Sequence, residues 1–289
     1  MKHKIVVARN KTAKEFMDTN DSLLRQDVTS NNFFLGFATQ IIKGEINSGE
    51  EIFLTVYEND KVIGQAINTD KDHNLLLTKM SARFAPYIVN EFLKYRNEVF
   101  GVGGDQVISQ SVAEELGKVI DKNYRINDHL GIYELNSLIM PDICESILLQ
   151  QNEVEENLVL DWTIAFIKEC HLAPNIEPVE VAKNLLKRHK STKGYRFLRN
   201  VDGEIVSMAV KHREFEDRAT VSYVYTPPKY RRKGYGKIVT ALLSKELLEG
   251  KYVQCNLFTD MKNPTSNKIY QEIGYKFIGE SFSYIFYQG

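Results

Sequence analysis

Arg231, Arg232 and Lys233 are followed by Gly234, Tyr235 and Gly236, so three cations precede two glycines one residue apart. Cations supply charge-assisted bonds to an anion, and glycines let main chain approach it with no Cβ in the way. Upstream, Val221, Tyr223 and Tyr225 alternate with Thr220, Ser222 and Val224 as in a strand, and Pro227 and Pro228 end it because proline offers no ladder donor. Downstream, Ile238, Val239, Leu242, Leu243 and Leu247 recur at helical spacing until Gly250. The basic turn therefore joins a strand end to a helix start, where unpaired amides and the helix dipole form an anion site. A diphosphate is the right size of ligand. A solvated basic turn that caps a helix gives the same spacing. The pattern GxxxxGK[ST] of a triphosphate-binding loop is absent, which argues against a nucleotide triphosphatase.

The run from Val224 to Gly236 resembles the acetyl-CoA signature of the GNAT N-acetyltransferases, [QR]-x-x-G-x-[GA] after a strand, with Arg231, Gly234 and Gly236 at its defining positions. A second block, from Asn263 through Ser266, Asn267, Tyr270 and Gly274 to Tyr275, is similar to that family's N-x-x-[AS]-x-x-x-Y-x-x-x-G-[FY] segment. The resemblance implies that acetyl-CoA is a co-substrate. Its diphosphate would lie on the amides from Arg232 to Lys237 (Arg232, Lys233, Gly234, Tyr235, Gly236 and Lys237). Its pantetheine arm would pair with Val224, Tyr225 and Thr226 and be reached by Asn263, with Asn267 among the coenzyme contacts. Tyr270 would protonate the departing thiolate, although a packing aromatic on an amphipathic helix reads the same way.

Direct attack by an amine in a ternary complex follows, with a main-chain N–H near Tyr225 stabilising the oxyanion. The general base stays open. Ser222 and Tyr223 stand where many relatives of the family place a glutamate, and His212, Glu214, Glu216 and Asp217 are the nearby candidates. Cys255 sits in an apolar strand between Val253 and Leu257, without a visible activating base, so an acylated-cysteine route is rejected. The alternatives are a non-catalytic acyl-CoA-binding module and an enzyme using a longer acyl-CoA or an aminoacyl-tRNA.

The elements that must position these residues occur twice. In the first half, alternating segments at 52–57, 62–69 and 75–78 lead to helical patterns at 86–95 and 107–120, with short strands at 99–101 and 131–135. In the second half, 195–198, 205–210 and 219–225 lead to 237–249, 252–258, 264–272 and 275–287. Helical patterns open each half, at 13–24 and 33–42, then at 157–170 and 178–189. The expected fold is α/β (α+β), two tandem GNAT-like domains, each a mixed, mostly antiparallel sheet flanked by helices. Residues 1–136 are the degenerate domain, since Lys79 to Pro86 lacks the glycines, and 137–289 the catalytic one. Gly101, Val102, Gly103 and Gly104 are expected to make a tight turn. Phe282, Tyr284 and Phe286 alternate in the last strand, and core is their expected place.

Composition bounds the rest. Hydrophobic residues at 43% and charged residues at 26% describe a globular chain, and a net charge of −1 disfavours a nucleic-acid partner. Cys144, Cys170 and Cys255 form no CxxC pair, so neither disulfide nor metal site is expected. The N-terminal apolar run is too short for a signal peptide, and no apolar stretch is long enough for a membrane span. A cytoplasmic protein whose partners are acetyl-CoA and an amine is expected.

Overall fold

The computed structural model describes residues 4–46, 49–142, 146–172 and 176–288. The elements are, in order, β1 (Ile5–Asn10), α1 (Ala13–Leu24), α2 (Asn32–Ile42), β2 (Ile52–Glu58), β3 (Lys61–Asn68), β4 (Leu75–Leu77), α3 (Ala85–Phe92), β5 (Gly101–Gly104), α4 (Gln106–Ile120) and β6 (Asn123–Leu135). There follow β7 (Ile147–Gln150), α5 (Glu156–Glu169), α6 (Pro178–Thr192), β8 (Tyr195–Arg199), β9 (Ile205–Phe215), β10 (Arg218–Tyr225), α7 (Tyr235–Glu249), β11 (Gln254–Asp260), α8 (Pro264–Glu272) and β12 (Lys276–Tyr287). The expected alternation of helices and strands is present. Strands β1 and β7 are additional, and β6 is far longer than the expected 131–135, because pairing with a neighbouring strand sustains extended chain that has little apolar alternation of its own. Cys144 lies outside the described residues.

These elements form two compact units. One comprises Met1–Ile132, Asp260–Lys262 and Gly279–Gly289; the other comprises Tyr133–Thr259 and Asn263–Ile278. The units therefore differ from the consecutive halves 1–136 and 137–289. The reason is strand placement. In the first unit β12 lies between β5 and β6, with Phe282 opposite Gly104 and Ile285 opposite Gly101, so the last strand of the chain completes the first sheet. Its sheet order is β1-β2-β3-β4-β5-β12-β6, and that of the second unit is β6-β11-β10-β9-β8-β7, where only the end of β6 takes part. Both are mixed: β4–β5 and β10–β11 are parallel, while the other pairings with assigned register are antiparallel.

Side-chain alternation decides which helices cover each face. In the first unit Ile52, Leu54 and Val56 pack with α3 and α4, whereas Phe53 meets Phe16 of α1 and Phe37 of α2. In the second, Phe197 packs towards α5 and α6, whereas Leu198 joins the cluster of α7 and α8.

The glycine run Gly101 to Gly104 is a strand, not a turn. A Cβ on Gly101 would stand 2.2 Å from the Tyr284 carbonyl oxygen, and one on Gly104, at φ +126°, would stand 2.0 Å from the Leu77 carbonyl. The glycines are there because two neighbouring main chains press against them. Phe282 and Tyr284 fill the core of the first unit rather than that of the second. Tyr284→Ala should therefore lower the stability of the first unit by about 3–5 kcal/mol. Chemical denaturation followed by hydrogen exchange on β2 and β3 measures it.

Candidate active site

Strands β10 and β11 pair from Arg218–Gln254 to Thr220–Asn256 and no further. At that last rung the buried Thr220 hydroxyl donates to Asn256 Oδ1 at 2.8 Å, so side chains pin the pair as well as main chain. Beyond it β10 is bulged. Ser222 is opposite Val210 and Tyr225 opposite Met208, so three steps on β10 meet two on β9. Tyr223 takes φ +50°, a left-handed conformation that costs roughly 1–2 kcal/mol. Residues 221–225 consequently have no assigned rung to β11. Ser207 holds the end of the bulged strand, its Oγ donating to the Tyr225 carbonyl at 3.0 Å and lying 2.9 Å from Thr226 Oγ1.

The basic loop starts where that strand ends. Arg231 turns inward: Nε donates to the Thr226 carbonyl at 2.9 Å and Nη2 to Glu169, at the end of α5, at 2.6 Å. Its guanidinium thus fixes the loop. Arg232, at φ +64°, and Gly234, at φ +80°, are left-handed, and both are exposed with Lys233. Ile238 is the first amide to bond back, to the Gly234 carbonyl at 3.1 Å. Among the described residues, no group accepts from the main-chain nitrogens of Arg232, Lys233, Gly234, Tyr235, Gly236 and Lys237. Consecutive free amides around a left-handed turn at a helix head form a concave anion site. Arg232 and Lys233 have no ion pair among the described residues, whereas Lys237 donates to Glu272 at 2.9 Å.

Helix α8 stands beside this head. A Cβ on Gly236 would lie 3.5 Å from Thr226 Oγ1, 3.8 Å from Ile269 and 3.9 Å from Val224, so this glycine faces β10 and α8 together. Asn263 caps α8, its Oδ1 accepting from the Ser266 amide at 3.0 Å. Asn267 donates to the Asn263 carbonyl at 2.7 Å and accepts from the Tyr133 hydroxyl at 2.8 Å, so both ends of its amide are held by protein. Tyr270 is 6% exposed, in the cluster with Ile238 and Ile273. Burial, and then nearby Cys170, push its phenol above the ordinary range, so it stays protonated and able to donate. The structure thus gathers residues 224–226 and 231–237 with α8 and Tyr270, keeps Asn263 at the head of that helix, and adds Glu169, at the end of α5, and Cys170 just after it.

The acidic candidates near the hairpin are engaged elsewhere. Glu214 accepts from Lys211 at 2.9 Å, from Lys251 at 3.3 Å and from the Tyr252 hydroxyl; these bonds outweigh its partial burial and hold its carboxyl at about 2. Asp217 pairs with Arg218 at 2.8 Å. His212 Nδ1 lies 3.1 Å from His189 Nε2, and His189 Nδ1 lies 3.2 Å from Thr192 Oγ1. Burial lowers His189 to about 4 and His212 well below its usual value, so the pair is neutral at physiological pH. Cys255 is buried, and burial alone pushes its thiol up to about 12, which removes its nucleophilic form.

Residues 198–284 match the family model described as FR47-like protein. No curated protein sequence matches the chain. Among solved structures, a Drosophila protein is 12% identical over 98% of this chain and 99% of its own, with a TM-score of 0.65. A GCN5-related N-acetyltransferase from Sphaerobacter thermophilus is 12% identical, covering 97% and 94%, with a TM-score of 0.58. A tandem GNAT protein from the clavulanic acid biosynthesis pathway is 8% identical, covering 98% of both chains, with a TM-score of 0.54. The chain has the tandem GNAT fold.

Within this GNAT fold, Glu169 and His189 escaped the sequence reading. Each finds its partner, Arg231 or His212, far along the chain, and neither lies in a motif. No helix among the described residues is long and apolar enough to cross a membrane.

Two outcomes follow from this geometry. Gly236→Val should fold normally, yet weaken binding of inorganic pyrophosphate, a diphosphate probe of the free amides, by at least about tenfold, or 1.4 kcal/mol, in calorimetric titration. His189 is neutral in the fold with a depressed pKa, so an unfolded chain takes up a proton that the native chain refuses. The stability it contributes is complete above about pH 6.5 and falls as pH drops towards 4, by up to roughly 3 kcal/mol. Thermal unfolding across that window should show a loss that His189→Gln flattens.

Proposed function

We propose that the second unit transfers the acetyl group of acetyl-CoA to a primary amine by direct attack in a ternary complex. The observation that carries this reading is the row of six unbonded amides, Arg232 to Lys237, at the head of α7, directly after a strand that has parted from its neighbour. In this reading the amides hold the diphosphate, Arg232 and Lys233 add charge, and Arg231 keeps the loop in shape through Glu169 and Thr226. The pantetheine arm lies along Val224, Tyr225 and Thr226 where β10 lacks its partner, with Asn263 at its side. Asn267 acts through Asn263, whose carbonyl it holds.

The amine nitrogen attacks the thioester carbonyl carbon, and main-chain N–H at the bulge stabilises the oxyanion. The C–S bond then breaks, its electron pair leaves on sulfur, and Tyr270 gives that sulfur a proton. The amine attacks in its neutral form, its nitrogen then gives up one proton to water, and a proton from solvent restores Tyr270, since Glu214 and Asp217 are committed to cations.

The first unit is proposed to bind no coenzyme. There the corresponding parallel pair, β4 and β5, stays closed along all of β4, to Leu77–Gly104. Titration of the whole chain should therefore give one acetyl-CoA site. Tyr270→Phe should lower turnover on the order of a hundredfold while changing acetyl-CoA affinity less than about threefold. A chain that binds acetyl-CoA but releases no thiol with any amine of a broad panel is instead the acyl-CoA-binding module.

A further inference from the structure

Arg213 is an enclosed charge without a counter-charge. Its Nε is shut off from solvent and has no hydrogen-bond partner, and its side chain forms no ion pair among the described residues. The residue as a whole is only half-buried. Its neighbours supply no negative charge. His212 and His189 are neutral, and burial keeps the Tyr223 phenol protonated. Arg188, exposed on α6, adds a second positive charge within electrostatic reach. Where other arginines of this unit lie against carboxylates, Arg196 on Glu246, Arg218 on Asp217 and Arg231 on Glu169, Arg213 has none.

Its position ties it to the acyl-transfer site. Arg213 is opposite Thr220, the last residue of β10 that pairs with β11. Its guanidinium carbon is 5.9 Å from the ring centroid of Phe258 on β11, and its charge acts on Tyr223, the left-handed residue of the bulge. It therefore stands where the two strands begin to part. Holding a guanidinium out of water with nothing to pair it is unfavourable, and an anion placed against it removes the penalty. The planar fork of its two terminal nitrogens, which are not enclosed without a partner as Nε is, fits the two oxygens of a carboxylate.

We infer that Arg213 binds the carboxylate of the acceptor, so that the second unit acts on amines carrying a carboxylate close to the nitrogen, as amino acids do. Arg188 is exposed, so the enclosed charge to be met is the single one of Arg213, which a carboxylate monoanion matches. The amine half of this assignment rests on the transferase reading; the anion half rests on Arg213.

Calorimetric titration of the whole chain, with and without CoA, using N-acetyl α-amino acids and their amides as probes, tests it. The acids should bind at least about tenfold more tightly than the amides, Arg213→Gln should erase that difference, and Arg213→Lys should retain part of it. Because the Arg213 side chain forms no hydrogen bond or ion pair among the described residues, Arg213→Gln should melt no lower than the parent. Acids and amides that bind alike or not at all, unchanged selectivity in Arg213→Gln, a lowered melting temperature in that variant, or tighter binding of phosphorylated amines would each overturn the inference. Carboxylate selectivity without acetyl-CoA binding would sink the transferase reading alone. Acetyl-CoA turnover of amines without that selectivity would sink this inference alone.

Discussion

The parting of β10 from β11 after Thr220 is the constraint on which the second unit depends. A strand inside a sheet ordinarily spends its main-chain groups on both neighbours, and an interior edge left unpaired must meet solvent or a ligand. Here the bulge at Tyr223 turns the strand out of register, while the Thr220–Asn256 bond fixes where the separation starts. Ser207 then holds the strand end, and Arg231 folds the following loop back on Thr226, so the free amides emerge directly beyond the gap. The sheet leaves a slot with an anion site at one end. In the first unit Gly104 does the reverse: lacking a Cβ, it lets β5 close against Leu77, and no slot forms.

The exchange of the last strand gives the chain an unusual accounting of its cores. Phe282 and Tyr284 are read late in the sequence but belong to the cluster of Ile52, Leu54 and Leu75. The first unit cannot complete its core from residues 1–132 alone, and its folding is tied to the C-terminus. That arrangement also explains Gly101, whose missing side chain admits the Tyr284 main chain.

Charge is distributed with similar economy around the bulge. Glu214 and Asp217 of the neighbouring hairpin are spent on Lys211, Lys251 and Arg218, and the two histidines are buried neutral against one another. These pairings keep negative charge away from Arg213 and leave its guanidinium available. No carboxylate stands at the point where β10 bends, since Ser222 and Tyr223 occupy it.

What the sequence determined by itself was local. Spacing of apolar residues located each of α1 to α8, the two prolines ended β10, and the glycines of residues 231–236 placed a basic turn at a helix start, because each of these depends on neighbours within a few positions. The blocks around Arg231 and Tyr270 were legible for the same reason. The tertiary structure alone decided that β12 completes the first unit, that β6 runs from Asn123, that Gly101–Gly104 is a strand, and that Glu169 steadies Arg231 while Arg213 has no carboxylate partner among the described residues. Each of these is a pairing, or a missing pairing, between residues far apart in the chain. Strand pairing and counter-charges are chosen by what the completed fold brings near, and no local pattern encodes that choice.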